Sequence, residues 1–85
     1  MDYVIVAFRS RAHTVCFYEE LKAKGLYSEI VNTPKEAGVG CGLSVKIRKE
    51  QFHAVKEMVK LTGLSSFSGF FLVGVIAGRR YVRAI

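Results

Sequence analysis

The chain has 85 residues, 51% of them hydrophobic, and its 13 basic and 7 acidic side chains give a formal net charge of +6. This length suits a single domain, residues 1–85, and the apolar fraction excludes a disordered chain. The longest apolar run, residues 70–77, is far shorter than the roughly 20 residues that span a bilayer, and the N-terminus lacks a basic signal-peptide start. We therefore expect a cytoplasmic protein with no membrane partner, whose charge favours anionic partners.

The first half of the chain predicts a strand, a helix and a second strand. Residues 2–10, DYVIVAFRS, form a β-branched and aromatic run, as in a buried strand. Ser10 is placed to cap a helix over residues 11–24, which Gly25 ends. Residues 27–33 predict the second strand, which Pro34 ends because proline cannot donate to a β-ladder. On the helix, a spacing of 3.6 residues groups one apolar face: Thr14, Val15, Phe17, Tyr18 and Leu21.

The second half predicts a strand, a helix and then a hairpin. In residues 43–49, LSVKIRK, alternation points Leu43, Val45 and Ile47 inward and turns Ser44, Lys46 and Arg48 to water. Residues 50–61 predict a helix that Gly63 ends. Residues 68–78 are apolar on both faces, as in a central strand, and RRYVRAI returns as a fifth strand through a turn at Gly78–Arg79. The apolar side of the second helix comprises Phe52, Val55, Met58, Val59 and Leu61.

The order β-α-β-β-α-β, with an extra C-terminal strand, predicts an α+β protein with a ferredoxin-like sandwich. Such a fold has an antiparallel sheet with two helices on one face. Alternating strand direction then brings three loops to one end of the sheet: residues 9–11, 34–42 and 62–69. The arginines Arg79, Arg80 and Arg83 are expected at the opposite end, where they favour solubility or contact a partner.

The loop of residues 34–42 is the candidate site, because it is longer than a tight hairpin needs and carries a cysteine between two glycines. The topology places Cys41 near the start of the first helix, where free N–H groups favour an anion. Gly40 and Gly42 leave the sulfur unshielded and permit positive φ, so that successive N–H groups of this segment can form an anion-binding nest. Nearby positive charge comes from Arg9, Arg11 and Lys35. We therefore hypothesise that Cys41 is a partly exposed thiolate nucleophile with a lowered pKa.

Other interpretations of these residues stay open. Cys41 could be an ordinary loop cysteine with no chemistry, and Cys16 a half-buried structural one. His13, in the first turn of the same helix, could assist Cys41 as a base or lie in solvent, while His53 is expected on a wet helix face. Together these four side chains show no metal-ligand spacing, so we expect no metal site. The serines of residues 65–68 are typical of a polar loop and could also bind an anion.

Three segments together carry a resemblance to a known family. A first strand ending AFRS, a helix closing with ELKAKGL and the run VNTPKEAGVGCGLSVK resemble the selenium/sulfur carrier protein-like family of small bacterial proteins. Phe8 and Ser10 match its Phe-x-Ser turn, Pro34 with Lys35 match its Pro-Arg or Pro-Lys, and residues 41–43 match its Cys-Gly-Leu. The similarity covers about residues 3–47. The C-terminal RRYVRAI is not typical of the family, and the Cys-Pro-x-Pro motif of better-understood sulfur carriers is absent.

This resemblance implies a carrier rather than a turnover enzyme. The Cys41 thiolate would accept a sulfur or selenium atom from a donor protein, hold it as a persulfide or selenopersulfide, and pass it to an acceptor protein. The basic surroundings, with Ser10, Arg9, Arg11, Lys35, Gly40 and Gly42 as binding residues, would hold that group as an anion. No metal or organic cofactor is required.

Two other classes of function compete with the carrier. A ferredoxin-like module could bind an anionic ligand or RNA without covalent chemistry, and the net charge fits either. RNA binding on such a sheet needs exposed aromatic side chains, whereas Tyr3, Phe8, Phe70 and Phe71 have apolar neighbours and are expected in the core. Alternatively, the strand that is apolar on both faces and the small core would suit a homodimer.

Overall fold

The computed structural model describes residues 2–85 and contains five strands and two α-helices. Short 3₁₀ turns precede β3 and α2, at Lys35–Ala37 and Lys49–Gln51. The α+β class and the fifth strand are therefore confirmed. In chain order the elements are β1 (Tyr3–Phe8), α1 (Arg11–Ala23), β2 (Glu29–Asn32), β3 (Leu43–Arg48), α2 (Phe52–Thr62), β4 (Phe67–Ile76) and β5 (Arg79–Ala84).

All five strands form one antiparallel sheet in the order β2-β3-β1-β4-β5. β1 lies at the centre because it is apolar on both faces, and five of its six side chains are buried. β5 extends the sheet beyond the four strands of the predicted sandwich. The turn before β5 consists of Ala77 and Gly78, one residue earlier than predicted, with φ of 52° and 77°. Positive φ at both central residues matches the twist of a tight hairpin.

Both helices pack on the same face of the sheet. Phe17 and Leu21 of α1 and Val55 of α2 are fully buried there, against alternate residues of β1 and β3 and against Phe70 of β4. Burial of each such side chain stabilises the fold by about 1.5–3 kcal/mol. Phe8 and Phe70 belong to this cluster, and Phe71 is buried on the other face, so three of the four aromatic residues expected in the core lie there. Tyr3 is half-buried.

The opposite face of the sheet is covered by the loop of residues 33–42 instead of by a helix. Ile5, Ala7, Phe71 and Val73 form a second buried cluster on that face, and Ala37 of the loop packs against it. The prediction that Ser44 faces water is wrong, because Ser44 shares this face and is fully buried. Thr33 lies within hydrogen-bond distance of it, with 2.6 Å between the two hydroxyl oxygens. The length of the loop thus has a structural reason, since the loop closes one side of the core.

An ion pair joins this loop to the last strand. The Arg80 guanidinium donates to both carboxylate oxygens of Glu36, with a shortest distance of 2.9 Å. The expectation that the C-terminal arginines lie away from the cysteine loop is therefore wrong for Arg80. Because the loop crosses the open face of the sheet, its middle reaches β5 although its ends stay at β2 and β3.

Three side chains on the helices differ from the prediction. Val15 is 40% exposed and Leu61 is 84% exposed, although both were assigned to apolar faces. The buried stripe of α1 consists of Thr14, Phe17 and Leu21, and Val15 falls outside it. Leu61 lies two residues beyond Val59, about 200° around the helix axis, so it points away from the sheet. Cys16 is exposed and not half-buried.

Within residues 2–85, neither helix has the length and apolar character that crossing a bilayer would require.

Candidate functional site

The three loops meet at one end of the sheet, as the topology predicts. The backbone N–H of Arg9 donates to the Ser66 carbonyl at 2.8 Å, which joins the end of β1 to the loop before β4. The N–H of Cys41 donates to the Phe8 carbonyl at 3.2 Å, which joins the cysteine loop to the same strand end. These two hydrogen bonds fix Cys41 beside the start of α1.

Ser10 caps α1, as predicted, and Ser66 supports this cap. The Ser10 hydroxyl accepts a hydrogen bond from the His13 N–H at 3.2 Å. The Ser10 N–H donates to the Ser66 hydroxyl at 3.3 Å, and that hydroxyl lies 2.6 Å from Nδ1 of His13. The His13 ring thus pairs with Ser66. These contacts do not support a role for His13 as a base for Cys41.

The sulfur of Cys41 lies against the first turn of α1 and is partly exposed. Its Sγ is 3.7 Å from the Thr14 hydroxyl and 3.6 Å from the Leu43 carbonyl oxygen, to which a protonated thiol can donate. The Thr14 hydroxyl is also 3.0 Å from the Ser10 carbonyl. Since a hydroxyl has a single proton, Thr14 can donate either to that carbonyl or to the sulfur. Ionisation of Cys41 favours donation to the sulfur.

The surroundings of Cys41 lower the pKa of its thiol below the ordinary value. Burial acts in the opposite direction and raises the pKa, because it disfavours the charged form. Backbone hydrogen bonding at Leu43 and Cys41, the Thr14 hydroxyl and the positive charge of Arg11 lower the pKa, and together they outweigh burial. A larger fraction of this thiol is therefore ionised at neutral pH than in an ordinary cysteine.

The two glycines beside Cys41 adopt positive φ, as expected. Gly40 has φ of 93° and Gly42 has φ of 95°, values that other residues rarely adopt. At Gly40 an added Cβ would also lie 3.3 Å from the Phe8 carbonyl oxygen, whereas Gly42 has open space around it. The predicted nest is wrong in one respect, because the Cys41 N–H that it needs is already donated to Phe8.

The three predicted cations divide between two places. Arg11 is the one whose charge acts on Cys41. Arg9 and Lys35 instead line an open groove of about 670 Å³, together with Gly40 and Gly42. The Cys41 sulfur contacts Thr14 of α1, and Cys41 is not among the residues that line this groove. Of the predicted binding residues, Arg11 acts on the sulfur through its charge, and Ser10 is linked to it through Thr14. Arg9 and Lys35 instead line the neighbouring groove.

Sequence reasoning did not identify two residues of this region. Thr14 was assigned to the apolar face of α1, and Ser66 to ordinary loop polarity. The signal for Thr14 was available, because a hydroxyl on an otherwise apolar helix face needs a hydrogen-bond partner when buried. Ser66 had no local signal, since its partners are 53 and 56 residues away along the chain.

Two further observations describe the side chains that could react or bind metal. Both cysteines are free thiols, and Cys16 lies on the exposed side of α1. Among residues 2–85, no three or more His, Cys, Asp or Glu side chains come together as a metal site would require.

Comparison with known proteins gives one match. A family model described as "Putative Se/S carrier protein-like" matches residues 2–66, which include β1 to α2, the cysteine loop and Ser66. Searches among curated proteins and among solved structures found no match. The matched segment extends beyond the residues that carry the resemblance in the sequence and makes up well over half of the chain. The chain therefore belongs to the Se/S carrier protein-like family.

Proposed function

We propose that this protein carries a sulfur or selenium atom on Cys41, held on a ferredoxin-like scaffold with an added fifth strand. Family membership supports the class of function. The observation that carries the residue assignment is the position of the Cys41 sulfur, which is partly exposed and touches Thr14 in the first turn of α1. Cys16, the other cysteine, lies on a bare helix surface, and the same contacts do not surround it.

The transfer is a thiol–persulfide exchange. The Cys41 thiolate attacks the outer sulfur of a donor persulfide, so that a new S–S bond forms at Cys41 while the donor's S–S bond breaks. The donor leaves as a thiolate, which takes up a proton. An acceptor thiolate then attacks the outer sulfur on Cys41, and Cys41 leaves as a thiolate. No oxidant or reductant is consumed, and a selenium atom moves by the same steps.

The environment of Cys41 suits both halves of this exchange. Thiolate is the attacking form in the first half and the leaving group in the second, and a lowered pKa favours both its formation and its departure. The Thr14 hydroxyl and Arg11 can also stabilise the negative charge of a bound persulfide. These contacts therefore suit a carried atom that is held in its anionic form.

Intact mass spectrometry tests this proposal. After incubation with a persulfide-charged cysteine desulfurase, we expect wild-type protein to gain the mass of one sulfur atom. Cys16→Ser should gain the same mass, and Cys41→Ser should gain none. Cys16→Ser is a matched control, because it removes the other free thiol of the chain. Gain that persists in Cys41→Ser, or no gain in wild type with any sulfur or selenium donor, would contradict the proposal.

The competing binding functions have unequal support. An RNA-binding sheet needs exposed aromatic residues, and Phe8, Phe70 and Phe71 are buried. Binding of a smaller anion is favoured by the basic groove beside Cys41.

A further inference from the structure

The groove beside Cys41 is a polar concavity with no assigned role. It lies where β1, the loop of residues 33–42 and the start of β4 meet, and its volume of about 670 Å³ is within the range of small-molecule sites. Its wall carries two cations, and none of its lining residues is acidic. Its lining includes Arg9 and Lys35, together with the glycines that flank the cysteine, Gly40 and Gly42.

Neither cation of the groove has a carboxylate partner. The salt bridges among residues 2–85 join Lys60 to Glu57 and Arg80 to Glu36, and they include neither Arg9 nor Lys35. Glu36 directly follows Lys35, yet it is held by Arg80 at 2.9 Å on the other side of the loop. Although the charge of Lys35 still helps to lower the pKa of Glu36, the carboxylate itself is engaged by Arg80 and does not line the groove.

We infer that this groove binds a small dianionic oxyanion of the phosphate or sulfate class. Two cations in a lining that holds no acidic side chain favour a ligand with more than one negative charge over a monoanion. The planar guanidinium of Arg9 can contact two oxygens of such a group, and Lys35 adds a point charge. Gly40 and Gly42 have no side chains to close the groove from the cysteine side.

The location of the groove links the anion to Cys41. Gly40 and Gly42 line the groove and are the chain neighbours of Cys41, so an anion bound there lies next to the cysteine segment. If Cys41 carries sulfur or selenium as proposed, the groove anchors the anionic end of a small donor or acceptor near that cysteine. This last step rests on the proposed function, whereas the anion site itself does not.

Titration of ¹⁵N-labelled protein tests the site. Inorganic phosphate, sulfate and acetate are compared at constant ionic strength and at a pH where phosphate is mostly dianionic. We expect phosphate and sulfate to give saturable shifts at Arg9 and residues 38–42, with clearly weaker effects from acetate. Arg9→Gln and Lys35→Gln should each weaken phosphate binding about tenfold, because each removes a charge-assisted contact.

Lys24→Gln is the matched control, since it removes the same charge at the far end of α1, and it should change the affinity about twofold or less. Equal shifts from acetate and phosphate, or equal weakening by Lys24→Gln and Lys35→Gln, would overturn the inference. Cys41→Ser should still bind phosphate. Failure of phosphate binding would reject the groove even if Cys41 loads sulfur, and failure of sulfur loading would reject the carrier even if phosphate binds.

Discussion

The two faces of the sheet are covered by different means. On one face, two helices bury large side chains such as Phe17, Leu21 and Val55. On the other, the loop that presents Cys41 covers a smaller cluster with a single small side chain, Ala37. The helix side therefore supplies most of the stability. The loop side supplies less, but the same packing that stabilises it also positions the candidate site. Substitutions on the two faces should differ accordingly.

The largest effect is expected on the helix face. Phe17→Ala should lower the free energy of unfolding by about 3–5 kcal/mol, because it leaves a cavity between α1 and the sheet. Ala37→Gly, on the loop face, should cost about 1 kcal/mol or less, since it removes one methyl group from a half-buried position. Urea denaturation followed by circular dichroism measures both. Equal costs would show that the loop supports the core as much as the helices do.

A medium effect is expected within the loop. Gly40→Ala should destabilise the protein by about 1–3 kcal/mol, because alanine at positive φ is strained and its Cβ would crowd the Phe8 carbonyl. Gly42→Ala has similar φ strain but open space, so it should cost less. The rate at which Cys41 is alkylated should also change in Gly40→Ala, because the substitution displaces the loop that holds the sulfur. If Gly42→Ala proves the more damaging variant, the close approach of Gly40 to β1 is not what positions the loop.

A small change in stability, with a larger change in reactivity, is expected where the helix face and the cysteine loop meet. Thr14→Val keeps the shape of the side chain and removes the hydroxyl beside the sulfur, at a cost of about 1 kcal/mol. The pKa of Cys41 should rise, since the thiolate loses a donor, and Thr14→Ser should restore it. Alkylation rates measured against pH report this shift. If the pH profile of alkylation is unchanged in Thr14→Val, the Thr14 hydroxyl does not influence the pKa of Cys41.

The sequence predicted the elements and the meeting of three loops because these follow from local periodicity and from alternating strand direction. It placed Ser10 as the cap and Cys41 beside α1 for the same reason. It could not predict that the loop crosses the open face of the sheet, because Ala37 and Glu36 reveal their partners only in three dimensions. Ser44 was misassigned as a consequence, since alternation identifies opposite faces but not what covers each one. The separation of Arg9 and Lys35 from Arg11 depends in the same way on side-chain direction around one loop.

The pH dependence of alkylation in Cys16→Ser, where Cys41 is the only thiol, tests the central claim most directly. The profile is recorded for the folded protein and for the same variant unfolded in guanidinium chloride. We predict a lower midpoint in the folded protein, because the Thr14 hydroxyl and the Arg11 charge act on the thiolate only when the fold brings them to Cys41. Equal midpoints, or a higher one in the folded state, would contradict it.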